Sequence, residues 1–402
     1  MESIIIWGAG YRGHLAYQYL KKHRRYKVVA FGDNDAKKQG NFIEGILVIG
    51  EQDLVRYSEV KYIVIASEYF CEIKKQLQGK YRFKVIESIE KIMNTRIVIE
   101  ITGWCNARCK WCVTGRSNIS CKNKKTDYMD INKFKQIYRH LYDKEMIEKS
   151  TEIMLYSWGE PFLNKDYIEI IEYLAEEGQQ YAVSTNASVV RMANKKDTYK
   201  YCNAFVISMP GFSQKSYDKM HGFQIDKIKD NIQKLVKNIF DCGFKGEAMI
   251  SYHVYKHNQK EIIEAKAFAD ELRIQFNAYY PYFAGNSIMA AYLRKELSVN
   301  IVDDANNDMF LGFVDELRDE RPADYVCSVK DIIPFDHNGN MVVCCACDNE
   351  MPGYYIKNVL DIKNYDDLME IRKDILTCEA CKICRSLKMD YWLDNNPHYV
   401  ME

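Results

Sequence analysis

Cys105, Cys109 and Cys112 stand at C-x3-C-x2-C in a loop that follows an apolar run. Three thiolates this close can close round one metal centre from a single loop, and cysteine thiolate is the usual ligand of an iron–sulfur cluster. Three is also one too few to saturate a cubane of four irons. One iron then keeps a free position, as a catalytic metal does for its substrate. The competing readings are a zinc knuckle and three buried free thiols. Zinc closes its structural sites with four ligands, and after Cys112 only Cys121 stands near enough to be the fourth.

The 402 residues are enough for two or three domains, and 47% hydrophobic residues can fill ordinary cores. Lys plus Arg (56) balance Asp plus Glu (56), so no net field recruits nucleic acid or an acidic membrane face. The start, Met1 to Gly8, has no basic segment and too short an apolar run for a signal peptide, and nowhere do 18 apolar residues run together. The expectation is a soluble cytoplasmic protein with neither nucleic acid nor membrane as partner. Most of the fourteen cysteines fall within 105–121 and 327–384, which in such a compartment suggests two metal regions rather than disulfides. Cys71, Cys202 and Cys242 read as core thiols.

The elements that must position these groups alternate strand with helix. Residues 3–7 form an apolar strand, and Gly8, Gly10 and Gly13 at G-x-G-x-x-G open a helical pattern. The next strand, Lys27 to Phe31, ends at Asp33, where an acid can meet a ribose, while the helix N-terminus can hold a phosphate. Further strands at 62–66 and 83–86 complete a small doubly wound unit over residues 1–93, predicted as a Rossmann-like nucleotide- or nucleotide-sugar-binding domain. The alternative is that the glycines only let strand and helix pack closely.

From Arg96 the order restarts. Strands are expected at 96–102, 152–156, 181–185, 204–208, 247–254 and 274–280, with helices at 130–143, 166–177, 188–200, 226–240 and 259–272 between them. Such alternation implies a parallel sheet, here a partial (β/α)6 barrel of the TIM type over 94–290, whose site is built at the strand ends. The cysteine loop lies at such an end. The aromatic run Tyr279 to Phe283 is placed at the mouth, with core packing as its rival role. Residues 291–402 read as a connector helix and a small cysteine-rich domain, with a hairpin turned by Asn338-Gly339.

Glu100-Ile101-Thr102-Gly103-Trp104-Cys105-Asn106, followed by Cys109, Trp111 and Cys112, resembles the signature of the radical S-adenosylmethionine (SAM) superfamily. That resemblance implies a 4Fe–4S cluster on Cys105, Cys109 and Cys112 whose open iron chelates SAM. It further implies reductive cleavage to a 5'-deoxyadenosyl radical that takes a substrate hydrogen, fed by a donor such as flavodoxin or ferredoxin. Trp158-Gly159-Glu160 resembles the family's G-G-E motif, whose backbone carbonyls receive the methionine ammonium, with Trp158 in place of the first glycine. Ser184 and Asn186 resemble the ribose- or carboxylate-contacting segment, Ser208 the next contact, and Trp111 the aromatic beside the adenine. Glu100 is expected to point inward, toward ligand or Arg108.

Cys327, the hairpin Gly339-x4-Cys344 and the late Cys381-x2-Cys384 resemble the SPASM/twitch extension of such enzymes. This implies one auxiliary 4Fe–4S cluster on Cys327, Cys344, Cys381 and Cys384, with Cys378 as a substitute ligand and Cys345 and Cys347 as strand-end thiols. A four-cysteine zinc site is the alternative. The function expected is a radical SAM oxidoreductase that oxidises or epimerises a nucleotide-linked sugar or other small metabolite. A peptide-modifying maturase is the second reading, and a zinc-stabilised scaffold the third.

Overall fold

The computed structural model describes residues 2–23, 26–67, 70–77, 79–81, 83–88, 96–120, 127–149, 151–312, 332–349, 351 and 353–373. The chain divides into two compact units, Met1–Thr95 and Arg96–Glu402.

The first unit runs β1 (Glu2–Trp7), α1 (Tyr11–His23), β2 (Tyr26–Gly32), β3 (Phe42–Ile43), β4 (Ile46–Ile49), β5 (Tyr62–Ile65), α2 (Phe70–Leu77) and β6 (Lys84–Ser88). The sheet order is β3-β4-β2-β1-β5-β6, and every pairing but β3–β4 is parallel. Side chains alternate across a strand, so the unbroken apolar run of β1 serves two cores. Ile4 and Ile6 pack with Ala16 and Leu20 of α1, while Ile5 and Trp7 pack with Ile73 and Leu77 of α2. Gly8 and Gly13 are required for packing. A Cβ on Gly8 would lie 2.4 Å from the Ala66 carbonyl oxygen, and one on Gly13 would lie 1.8 Å from that of Gly8. Gly10 faces open space.

The second unit begins with β7 (Arg96–Ile99), α3 (Val113–Ser120), α4 (Ile131–Asp143), β8 (Glu152–Met154), α5 (Tyr167–Glu177) and β9 (Tyr181–Thr185). It continues through β10 (Cys202–Met209), α6 (Gln214–Met220), α7 (Ile225–Asp241), β11 (Glu247–His253), α8 (Ile262–Glu271), β12 (Gln275–Tyr279), α9 (Asn286–Leu293) and α10 (Val299–Asp308). It closes with β13 (Ile332–Phe335), β14 (Asn340–Val342), β15 (Tyr355–Asn358) and α11 (Tyr365–Lys373). The order β12-β11-β10-β9-β8-β7-β13-β14-β15 makes one sheet of nine strands. Six are the expected parallel strands; β13 adds beside β7 in parallel, and β14 and β15 follow antiparallel. The C-terminal hairpin therefore extends the barrel sheet, and Gly339 supplies the positive φ (78°) of its turn.

Helix α4 shows why the local readings hold: Asp130 accepts from Asn132 N and Lys133 N as an N-cap, and Phe134, Ile137, Tyr138 and Leu141 form one buried face. The helix expected over 188–200 is absent. Asn231 Nδ2 donates to the Ala187 carbonyl (2.8 Å), and Asn238 pairs with both N–H and carbonyl of Ala193 (2.9 Å each). Side chains of α7 thus satisfy backbone groups that a helix would pair internally. Among the described residues no helix is long and apolar enough to cross a membrane.

Alternation also sorts the barrel strands. Ile97, Ile99, Val183, Phe205, Ile207, Ile250 and Ala278 turn to the helices and form the main core. Glu100, Thr102, Ser184, Ser208, Ser251, His253 and Tyr279 take the opposite, concave face.

Candidate active site

The cysteine loop leaves β7 at its C-terminal end and is tied down at every step. Gly103 N–H donates to the Asp127 carbonyl, Glu160 N–H to that of Trp104, and Cys112 N–H to that of Cys109. Asn118 of α3 reaches back to the carbonyls of Cys105 (2.6 Å) and Ala107 (2.5 Å). Helix α3 starts directly after Cys112, so its positive end faces the last sulfur.

Each end of the loop brings N–H donors to a sulfur. Cys105 receives the Ala107 N–H and, at 3.6 Å, Asn186 Nδ2; Cys112 receives the N–H groups of Thr114 and Gly115. Burial and the neighbouring Glu160 carboxyl push the Cys105 thiol up to about 12. Burial pushes Cys109 and Cys112 up as well, and Cys109 also faces the sulfurs of Cys105 and Cys112. Such sulfurs ionise only with positive charge beside them, which metal ligation supplies. Among the described residues no three His, Cys, Asp or Glu side chains converge as round a single ion. A cubane takes its thiolates on separate irons, so three buried cysteine sulfurs delivered by one loop suit it. The donor set therefore fits an iron–sulfur cluster.

The turn after β8 is held by two buried carboxyls. Glu100 Oε1 accepts the N–H of Trp158 (2.7 Å) and of Gly159 (2.8 Å), and does not hold Arg108. Glu160 accepts from Phe162 N, Thr185 Oγ1 and Asn186 N at 3.1, 2.7 and 2.7 Å. Asn186 then reaches Cys105 and Asn106, so one chain of contacts joins turn, third strand and cysteine loop. Burial pushes both glutamates up to about 7 against these hydrogen bonds.

That shift fixes the sign of a pH dependence. With a folded value near 7 above the ordinary 4.5, Glu100 contributes stability that is complete below pH 4.5 and lost as pH rises through 7. The expected contribution is about 3 kcal/mol, and Glu160 adds a similar slope. Glu100→Gln keeps one oxygen for both N–H groups and should roughly halve the fall in urea-unfolding free energy between pH 5 and 7.5. An unchanged slope would show that Glu100 is ionised in the fold.

Residues 99–269 match the sequence profile of the Radical SAM superfamily. Residues 1–83 match the family described as C2185-like, N-terminal. The Rossmann-like reading of that unit thus rests on strand order and the glycine turn alone. The chain is similar to GTP 3',8-cyclase of Pasteurella multocida (strain Pm70), 24% identical over 151 residues, 37% of this chain and 41% of that protein. It is also similar to GTP 3',8-cyclase of Haemophilus influenzae (strain 86-028NP), 25% identical over 260 residues, 62% of this chain and 72% of that protein. The match to the first thus spans less than half of that relative's length. Among solved structures it is similar to Streptococcus suis SuiB bound to precursor peptide SuiA, with 17% identity, a TM-score of 0.45 and 74% of each chain covered.

Trp111 is packed inside the fold. It is 4% exposed, packs edge-on against Phe283, and its Nε1 donates to Asp308 Oδ2 at 3.1 Å. The indole anchors the loop and has little surface left for an adenine. Asp308, at the end of α10, also pairs with Lys110 and Lys219. Asp308→Ala leaves a buried indole N–H and the Lys219 ammonium without their acceptor, while Lys110 keeps Asp304, so urea unfolding should show a loss of about 2–3 kcal/mol. Asp308→Asn, which keeps the indole's acceptor, should lose less; equal losses would mean the indole contact is immaterial.

Ser184 and Ser208 lie half-buried on the concave face, Ser208 in register with Ser251. Phe283 takes the core role rather than the mouth. Sequence reasoning missed Ser251 and His253, though the alternation of Glu247 to His253 puts both opposite Ala248, Ile250 and Tyr252. Tyr279 hydrogen-bonds Ser251 and stacks edge-on to His253 at 5.0 Å. Burial holds His253 down to about 4 and His221 to about 3, so both imidazoles are neutral near pH 7.

In the first unit, Asp33 is already engaged. Its Oδ2 accepts Ala9 N–H (2.8 Å) and Lys38 Nζ (3.1 Å), and its Oδ1 accepts Asp35 N–H (2.9 Å). Cys327, Cys378, Cys381 and Cys384 lie outside the described residues. Cys344 is described, and its sulfur hydrogen-bonds with Cys345 and Cys347.

Proposed function

We propose that residues Arg96 onward bind SAM at the Cys105–Cys109–Cys112 cluster and direct the resulting hydrogen abstraction at a small polyhydroxylated metabolite, with a second cluster taking the substrate's electron in a net oxidation. The observation that carries the first part is the path from Glu160 through Asn186 to Cys105. It sets the third strand end and the cysteine loop in one rigid frame. When bound, cluster and SAM supply a one-electron cleavage whose product removes a hydrogen atom.

The chain's own residues orient that event. Glu100 draws in the N–H groups of Trp158 and Gly159, which leaves the carbonyls of that turn for the methionine ammonium. Ser184 and Ser208 offer hydroxyls to carboxylate and ribose. Ser251, Tyr279 and neutral His253 meet the substrate, and hydroxyl, phenol and uncharged imidazole suit sugar hydroxyls better than they suit a charged peptide. Strand order and the open space at Gly10 support a nucleotide or nucleotide-sugar at the N-terminal unit. Asp33 holds its own turn and is not the ribose contact in this reading.

The test is anaerobic purification, assay of iron and labile sulfide, and conversion of SAM to 5'-deoxyadenosine with a flavodoxin- or ferredoxin-type donor. Deuterated nucleotide-sugars, free sugars and precursor peptides then identify the attacked hydrogen by label transfer. Label from a peptide and not from any sugar would replace the metabolite by a peptide. Zinc without deoxyadenosine would leave only a scaffold.

A further inference from the structure

Cys344, Cys345, Ala346 and Cys347 follow β14, and Cys344 makes a C-x2-C pair with Cys347, which the ligand set drawn from the family pattern omits. The turn between them is closed by its own backbone and brings one N–H to the first sulfur. Cys347 N–H donates to the Cys344 carbonyl at 3.2 Å, and Ala346 N–H donates to Cys344 Sγ at 3.4 Å. The Cys344 sulfur has both the Cys345 and the Cys347 side chains within hydrogen-bond reach. Cys347 is 1% exposed, and Asn286, 2% exposed, donates its Nδ2 to Cys347 Sγ at 3.5 Å.

A neutral thiol is a poor acceptor, and a buried amide aimed at one gains little for its lost water. The same amide aimed at a metal-bound thiolate makes a charge-assisted bond that orients the ligand and tunes the metal. The rest of the turn is equally fixed. Trp158 Nε1 donates to the Cys347 carbonyl (3.1 Å), Asn286 N–H to that of Ala346 (3.2 Å), and Ser287 N–H and Oγ to Asp348 Oδ2 (3.0 and 2.9 Å). Ala284, two residues before Asn286, pairs with the first loop: its N–H donates to the Trp111 carbonyl and its carbonyl accepts Val113 N–H. Residues 284–287 therefore bridge the two cysteine turns.

We propose that Cys344 and Cys347 ligate the second iron–sulfur centre as a pair, with Asn286 as the positioning residue for the Cys347 sulfur. Each thiol gives up its proton to solvent on ligation. The assignment rests on the reading that the C-terminal region holds a cluster at all, and corrects the expectation that Cys347 is a strand-end thiol. Cys345, inside the turn, is outside the pair.

The experiment uses the full chain with Cys105, Cys109 and Cys112 replaced by Ala, reconstituted without air, so that any iron left belongs to the second centre. Adding Cys347→Ser, which keeps size and a hydrogen-bond acceptor, should reduce that iron and sulfide at least tenfold, while Cys345→Ala retains them. Asn286→Ala should keep the iron but lower the reduction potential of the centre and change its electron paramagnetic resonance spectrum. Full iron and an unchanged spectrum in Cys347→Ser would overturn the pair and leave the second cluster standing. No iron in the starting background would overturn the cluster reading itself, and the pair with it. Circular dichroism of each variant separates loss of ligation from loss of fold.

Discussion

Alanine at Cys105, Cys109 and Cys112 together is expected to remove about four irons per chain and to reduce 5'-deoxyadenosine formation at least about a thousandfold. Single replacement of Cys109 should do nearly as much, since two thiolates from one loop do not hold a cubane against solvent. The fold should survive. The loop is tied by backbone contacts, by Asn118 and by the Trp111–Asp308 bond, none of which uses a sulfur. Iron and sulfide analysis with chromatographic assay of deoxyadenosine checks this. If the triple variant still cleaved SAM, another cysteine set would carry the reaction.

Gly159→Ala is the other large effect. An added Cβ would sit 1.7 Å from the Thr102 carbonyl oxygen and 3.1 Å from that of Trp104. Both are backbone atoms on the run into Cys105, so neither can swing aside as a side-chain tip would. Either the turn after β8 moves off Glu100 or the cysteine loop shifts. SAM affinity should fall at least about tenfold, near 1.4 kcal/mol, with a loss of about 1–3 kcal/mol in stability from overpacking. Trp158→Gly is the informative contrast. It restores the residue type that the motif usually carries and keeps the backbone N–H on Glu100, while it deletes the indole bond to the Cys347 carbonyl. SAM binding should change little and the second cysteine turn should loosen. Calorimetric titration of SAM separates the two, and wild-type affinity in Gly159→Ala would remove the turn from the site.

The placing of the first cysteine loop was legible because it is local: three sulfurs within eight residues need only a strand to deliver them and a helix start to close them. Strand alternation was legible for the same reason, and it places Glu100, Ser184 and Ser208 on the concave face without further help. Ser251 and His253 obey that alternation and were open to the same argument. The C-x2-C spacing of Cys344 and Cys347 was likewise visible, though a family pattern of ligands drew attention elsewhere.

What the linear chain could not show were partners distant in sequence. Asp308 takes the Trp111 indole from 197 residues away, which turned an expected adenine contact into an anchor. Asn238 pairs with Ala193 across 45 residues and keeps 188–200 from being helical. Ile332 to Phe335 join β7 in register with Arg96 to Ile99, so the C-terminal hairpin completes the barrel sheet. Residue type and short spacing therefore determined where this chain gathers its candidate ligands and which face of the sheet its polar residues take. Only the tertiary structure decided which buried donor meets which acceptor, because a polar group removed from water must find its partner wherever the fold brings one.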